Sequence, residues 1–358
     1  MRRFRLWSRF SAVPAAAALA LALSPALPDA AAAEPVTVVT SIKPVHSLVA
    51  AAMQGAGTPH LIVEGGASPH SYGLKPSDAA ALEKARVVVW VGEGLETFLA
   101  SSIATLAKNA EVVELAEIPG LTRLPYRAGG AWEKHLHDED HPEEDHPKED
   151  HGAQGGHAEA AASQVHEDEH EHEEHTGQED EHGHGEVDMH LWLDPENAKA
   201  IVAAVAEALT RADPGNSGIY LANAKIMSHR LDQLVQEVEY DLTPVKDAPF
   251  VVFHDAFQYF DTRFALNNVG SVTVDPDRQP GAARLKQIRA TISELGARCV
   301  FAEPQFEPRL LNVVTEGTQA KVGLLDPLGA DIPDGPELYF ELLRRNAAAL
   351  RDCLEITG

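Results

Sequence analysis

Among its 358 residues the chain has only two cysteines, Cys299 and Cys353, and 6% aromatic residues. It has no basic excess either: 29 Lys and Arg stand against 55 Asp and Glu. Without a basic footprint, nucleic acid is excluded as an expected partner. Neither cysteine has a second thiol close in sequence, which argues against a thiolate metal site. Beyond the N-terminal run no apolar stretch approaches the roughly 20 residues that span a bilayer. Outside residues 133–186 there is no His-Glu-x-x-His stretch, and there is no serine-nucleophile motif, so the commonest sequence signs of a hydrolase are missing from the rest of the chain.

The chain is long enough for two domains with their own cores, since domains run about 100–200 residues, and its 44% hydrophobic content is ordinary. The net charge of −26 is localised. Between Glu133 and Glu186 lie 20 Asp and Glu against Lys134 and Lys148, a net of −18 that leaves −8 for the rest. The same tract holds 12 of the 18 histidines: His135, His137, His141, His146, His151, His157, His166, His170, His172, His175, His182 and His184. It cannot bury enough apolar surface to fold alone and is expected to be disordered without metal. Chemically it is a flexible polyanion with weak divalent-cation sites, whose capture fades as its histidines take protons. A solvated surface spacer is the plainer alternative.

Arg2, Arg3, Arg5 and Arg9 precede an apolar run from about Ala12 to Leu27 and then small residues. This is the pattern of a secretory signal, residues 1–33, with cleavage near Ala33. Pro14 and Pro25 weigh against a membrane anchor. Export implies a periplasmic location and an oxidising compartment, where pairing of Cys299 with Cys353 is the default and two separate buried thiols the alternative.

Strand and helix patterns alternate along the rest. Val36–Thr40, Leu61–Val63, Arg86–Val91 and Val112–Val113 read as strands. Helices are expected at Val45–Met53, from Pro76 with Ser77 as N-cap, and at Leu95–Leu106. One helix runs from Pro195 to Ala212, and Asp213-Pro214-Gly215 breaks it. A long amphipathic helix follows from Ser217 to about Tyr240, with Ile219, Leu221, Ile226, Leu231, Leu234, Val235 and Val238 near helical spacing. A second alternating set continues to the end. The expected fold is α/β: two lobes, each a mainly parallel sheet flanked by helices, joined by one long helix. The boundaries read as 34–213 for the first lobe, 214–242 for the linking helix and 243–358 for the second lobe.

Parallel sheets bind ligands outside the carboxyl ends of their strands. His254 and Asp326 are expected at the ends of buried strands in the second lobe. His70 follows a strand by the loop Glu64-Gly65-Gly66-Ala67-Ser68-Pro69, and His190 stands where the acidic tract gives way to Met189-His190-Leu191-Trp192-Leu193-Asp194-Pro195. Three imidazoles and one carboxylate facing an interlobe gap make a tetrahedral set suited to Zn²⁺, and imidazole favours zinc or copper over manganese. His46, His60 and His229 read as structural, and Glu303 as a cleft-lining residue.

The stretches Gly65 to Tyr72 with Lys75-Pro76-Ser77-Asp78, Met189 to Pro195, and Phe253-His254-Asp255-Ala256-Phe257 carry a resemblance. So do Ala302-Glu303-Pro304-Gln305 and Leu325-Asp326-Pro327-Leu328-Gly329. In this order they resemble the zinc-specific solute-binding proteins of bacterial ABC importers, the ZnuA type within the metal-binding cluster. The resemblance implies a rigid linking helix, His70, His190 and His254 as zinc ligands, and a disulfide in the second lobe. It implies delivery of zinc to an inner-membrane ABC permease by a monomer with no catalytic residues, and a His-rich loop as auxiliary zinc collector or sensor. Manganese members carry Glu where His254 stands. Some zinc members place a further Glu ligand where this chain has Pro69, so the fourth ligand is Asp326 or a water. Two rivals remain: a zinc hydrolase using Glu303 or Asp255 as base, separated by turnover, and a manganese or iron binder or adhesin, separated by selectivity or host-ligand binding.

Overall fold

The computed structural model describes residues 36–127, 132, 187–273, 280–306 and 309–355. The expected signal segment 1–33 and the tract 133–186, with its twelve histidines, lie outside the described residues.

The first lobe is built from β1 (Val38–Ile42), α1 (Lys43–Ala52), β2 (His60–Val63), α2 (Pro76–Lys84), β3 (Val87–Trp90), α3 (Thr97–Leu106) and β4 (Glu111–Glu114). Its strands are all parallel in the order β2-β1-β3-β4. The centre strands β1 and β3 are buried at every residue, as their unbroken apolar runs require. Lys75, not Ser77, stands at the N-terminal boundary of α2. Its N–H donates to Asp78 Oδ2 at 3.3 Å, while the Ser77 hydroxyl turns to Asp78 Oδ1.

Two helices follow. In α4 (Pro195–Ala212) the Asp194 carboxylate accepts the Glu196 N–H at 2.9 Å and Pro195 occupies the first turn, both strong start signals. The long helix α5 (Ser217–Leu242) has 26 residues, about 39 Å at 1.5 Å per residue. Its buried face is Tyr220, Met227, Leu231, Leu234, Val238 and Leu242, whereas Ile219, Leu221 and Ile226 are exposed.

The second lobe repeats the first: β5 (Phe250–His254), α6 (Gln258–Phe264), β6 (Asn268–Thr273), α7 (Ala282–Glu294), β7 (Cys299–Ala302), α8 (Arg309–Thr315), β8 (Lys321–Leu324) and α9 (Leu338–Leu354). The strand order β6-β5-β7-β8 is that of the first sheet, again all parallel. Residues of β5 alternate between two cores: Phe250 and Val252 join the main one, Val251 and Phe253 a smaller one with Ile288, Val300 and Leu311. β8 is an edge strand with Val322 52% and Leu324 54% exposed, so the run before Asp326 is not a buried strand.

The main core is continuous from β1 through α4 and α5 to α9. Both lobes therefore pack on one helical spine rather than on a flexible linker, and a wide hinge motion would have to break apolar packing. The Arg230–Glu337 and Arg344–Glu237 pairs tie α5 to α9 along the surface. Cys299, the first residue of β7, is disulfide-bonded to Cys353 of α9, 54 positions on. Among the described residues no helix is long and apolar enough to cross a membrane.

Candidate metal centre

In both sheets the chain crosses to one side after the second strand in spatial order and to the other side later, leaving a crevice at the carboxyl ends where the direction reverses. In the second lobe that crevice lies between β5 and β7. His254 ends β5, and Glu303 directly follows β7. The strand geometry thus presents an imidazole and a carboxylate side by side. Glu303 Oε1 accepts the His254 N–H at 3.1 Å, and Oε2 lies 3.3 Å from His254 Nδ1.

His190 lies on a short return stretch before the 3₁₀ turn Leu191–Leu193. Its Nδ1 is 2.7 Å from Asp188 Oδ1, which also accepts the His190 N–H at 3.0 Å. A carboxylate can only accept, so it fixes the proton on Nδ1 and leaves the Nε2 lone pair of each ring as the remaining donor. His70 sits on the loop after β2. That loop is pinned further along by Asp78, which accepts from the Tyr72 hydroxyl at 3.4 Å and the Lys75 N–H. The Tyr72 hydroxyl also donates to Ile62 O at 3.0 Å.

The three imidazoles come together. Their ligating atoms all lie within 4.8 Å of one another, with ring centroids 5.8 Å apart for His70–His190, 5.3 Å for His70–His254 and 4.8 Å for His190–His254. A tetrahedral ion with bonds near 2.05 Å holds its nitrogens about 3.3 Å apart, so the rings need only a modest inward movement. The cavity they share with Trp192, Glu303, Gln305 and Phe306 has a volume of about 10 Å³, room for one ion or water. Among the described residues no other cluster of three His, Cys, Asp or Glu has this geometry.

Electrostatics divide the rings. Burial, then the neighbouring His254 and His190 rings, hold His70 well below the usual imidazole range. Burial also opposes protonation of His254. The nearby Glu303 carboxylate, helped by Asp255 and Asp188, outweighs it and raises the ring's proton affinity. Imidazole nitrogens beside buried carboxylates are a cation site.

Asp326 is not among the imidazoles. Its Oδ1 accepts from the Leu328 N–H at 2.9 Å and Gln305 Nε2 at 3.0 Å, and its Oδ2 accepts from the Ala330 N–H at 2.6 Å. The loop after β8 folds back, with Gly329 at φ 74°, and wraps this carboxylate in backbone donors. The remaining described histidines stand apart from this cluster. His46 is buried with Nε2 3.3 Å from Pro59 O, His60 meets Asp78 at 3.3 Å, and His229 lies on α5 beside Gln233. Sequence reasoning missed Asp188, whose place two residues before His190 is the local signal, and took Glu303 for a lining residue rather than a brace. It also missed Arg127, which pairs with Asp255 and Asp261.

The two lobes meet around the site through named bonds. Trp192 Nε1 donates to Pro327 O at 2.9 Å, Lys43 Nζ to Ile332 O at 2.8 Å, and the Arg263 fork to both oxygens of Asp194 at 2.7 Å. Two like lobes on a shared helical spine, with three imidazoles converging in the crevice between them, define a two-lobed binding protein whose site is the size of a single ion. The chain belongs to the family described as zinc-uptake complex component A, periplasmic, whose model matches residues 38–353. It is 51% identical over 317 residues to the high-affinity zinc uptake system protein ZnuA of Brucella abortus, covering 88% of this chain and 91% of that protein. Identity to the ZnuA of Yersinia pestis is 35% over 318 residues, 89% of this chain and 91% of the relative. A solved crystal structure of ZnuA superposes with a TM-score of 0.67 at 23% identity, over 90% of this chain and all of that one. The family is one of transport components, not of enzymes.

Proposed function

We propose that this protein captures Zn²⁺ in the crevice between its lobes, with Nε2 atoms of His70, His190 and His254 as ligands, and hands it to an ABC permease in the inner membrane. The observation that carries the reading is the convergence of three histidines from remote parts of the chain within 4.8 Å. Neutral imidazole is a good zinc donor, and an all-nitrogen set disfavours manganese. The names of the relatives support the same cargo. The fourth ligand is Asp326, whose carboxylate the three N–H donors would orient, or else a water. Asp326→Ala weakens zinc binding in the first case and leaves affinity unchanged in the second.

In this reading residues 1–33 direct export to the periplasm, and the protein acts as a monomer. The lobes are 34–213 and 243–358, with 214–242 between them. The tract 133–186 gathers zinc at weak auxiliary sites through its twelve histidines or senses sufficiency. A competitive zinc titration against a chelator tests the whole. It compares the mature protein, a form lacking 133–186, and that form with His70, His190 and His254 changed to Ala. One tight equivalent should survive the deletion and disappear with the three histidines. Loss of tight binding with the tract alone would make the tract the principal site and sink the proposal.

A further inference from the structure

A second polar cluster lies beside the imidazoles, at the seam between the lobes. The segment ending at Arg127 is bonded on one side to the stretch that leads into His190. Leu124 O accepts the Asp188 N–H at 2.9 Å, and Pro125 pairs with Val187 in an antiparallel bridge. On the other side it is bonded to α6. The Tyr259 hydroxyl accepts from the Leu124 N–H at 3.0 Å and donates to Asp188 O at 2.7 Å, and Gln258 Nε2 donates to Pro125 O at 3.0 Å. Arg127 closes this arrangement. Its Nε donates to both oxygens of Asp255, at 3.0 and 3.2 Å, and its Nη2 also meets Asp255 Oδ1. Its Nη1 donates to Asp261 Oδ2 at 3.1 Å, an oxygen that also accepts from Asn268 Nδ2 at 2.8 Å. The guanidinium lies 3.9 Å from the centre of the Trp132 ring.

Asp255 directly follows His254, and its carboxylate is buried. Arg127 therefore grips the residue next to one imidazole, while its own segment is bonded to the residues just before another. A site is held to function when its donors are fixed within roughly 0.5 Å by the groups behind them. The planar guanidinium reaches Asp255 and Asp261 together, which a single ammonium cannot do with the same fork geometry.

We propose that Arg127 is a positioning residue of the metal site: by clamping Asp255 it fixes the turn that carries His254 and sets how long a bound ion is retained. This rests on the three imidazoles being the zinc site. Arg127 acts through the backbone at 254–255 and through the seam at 124–125 and 187–188.

The test is zinc release from the full chain into excess chelator, followed by stopped flow. The relevant phase is the one missing from a His70→Ala, His190→Ala, His254→Ala triple variant. If the wild type has no such phase, the reading of the site fails, independently of Arg127. Two variants probe the clamp. Arg127→Lys keeps the charge and loses the fork. Arg127→Ala combined with Asp255→Ala removes the clamp without leaving Asp255 buried and unpaired. Both should release zinc about 10-fold faster or more, the range seen when groups that orient metal ligands are removed. The metal-free Arg127→Lys protein should keep the wild-type thermal midpoint. A wild-type release rate in either variant overturns the proposal. So does acceleration that appears only with an equal loss of metal-free stability.

Discussion

His254 and Glu303 stand side by side at the ends of neighbouring parallel strands, and one carboxylate holds both the ring and the backbone of the histidine. Glu303 Oε1 takes the His254 N–H at 3.1 Å and Oε2 faces Nδ1 at 3.3 Å. The same strand pair that builds the second core therefore orients one imidazole of the candidate site. Asp188 repeats the device on His190, with contacts of 3.0 and 2.7 Å. Strand pairing and a two-residue loop offset arrive at one chemical solution.

Removing that brace should weaken metal binding without removing a ligand. Glu303→Ala leaves the His254 ring free to turn and strips the anion that raises its basicity. Loss of zinc affinity should be on the order of 10–100-fold. Glu303→Gln keeps an acceptor oxygen and should lose less. The competitive titration used for the wild type measures both. An affinity loss as large as that of His254→Ala would instead make Glu303 a direct ligand.

A buried carboxyl in the first lobe makes stability depend on pH. Glu96 accepts the N–H groups of Val91 and Gly92 at 2.9 and 3.0 Å, just past β3, with no exposed surface. Burial is the main cause that pushes its carboxyl from 4.5 to about 7, against the hydrogen bonds from Ser41 and the two N–H groups. Between those values the folded chain binds more protons at this residue than the unfolded chain. Its contribution is therefore full below pH 4.5 and lost as pH rises through 7. The loss amounts to about 3 kcal/mol at 1.36 kcal/mol per pH unit. In chelator, urea denaturation of Glu96→Gln and wild type should diverge in the variant's favour from pH 5 to pH 8. Parallel curves would show that Glu96 does not titrate in this range.

Much of this architecture is legible in the residues because the unbroken runs at Val87–Trp90 and Phe250–Phe253 admit few alternatives. Asp194-Pro195 and Asp213-Pro214-Gly215 likewise mark the ends of α4. The three histidines that the structure brings together each stand at an edge of such ordered sequence. What the pattern does not carry is orientation decided by neighbours. On α5 the spacing of Ile219 and Ile226 mimics a core face, yet Tyr220 and Met227 are the residues the packing buries. Asp326 looks like a residue aimed from a strand end into the crevice. Only the fold of the Gly329 loop reveals that each of its oxygens also accepts a backbone N–H. The role of Arg127 depends on contacts across the seam, which no local signal encodes, whereas that of Asp188 follows from its place two residues before His190.

Gly92 links the first sheet to the return stretch that carries His190, and its replacement tests that link. Its φ of 147° lies where only glycine is at ease, and a Cβ there would come within 2.8 Å of both Glu114 Oε1 and Met189 Cε. Met189 immediately precedes His190 and is buried, so it has little room to retreat. Gly92→Ala should therefore cost about 1–3 kcal/mol of stability from the backbone alone, in the range for residues held in rarely populated regions. It should also push Met189 and lower zinc affinity more than a mutation of equal stability cost far from the site. Gly296→Ala supplies that comparison. Gly296 has φ 62° with nothing within 4 Å of an added Cβ, and it lies ahead of β7, at the end of the second sheet opposite the crevice. Urea denaturation and zinc titration on the two variants separate the effects. Equal zinc affinities at equal stability loss would mean that the close approach of Gly92 to Met189 matters for packing and not for His190.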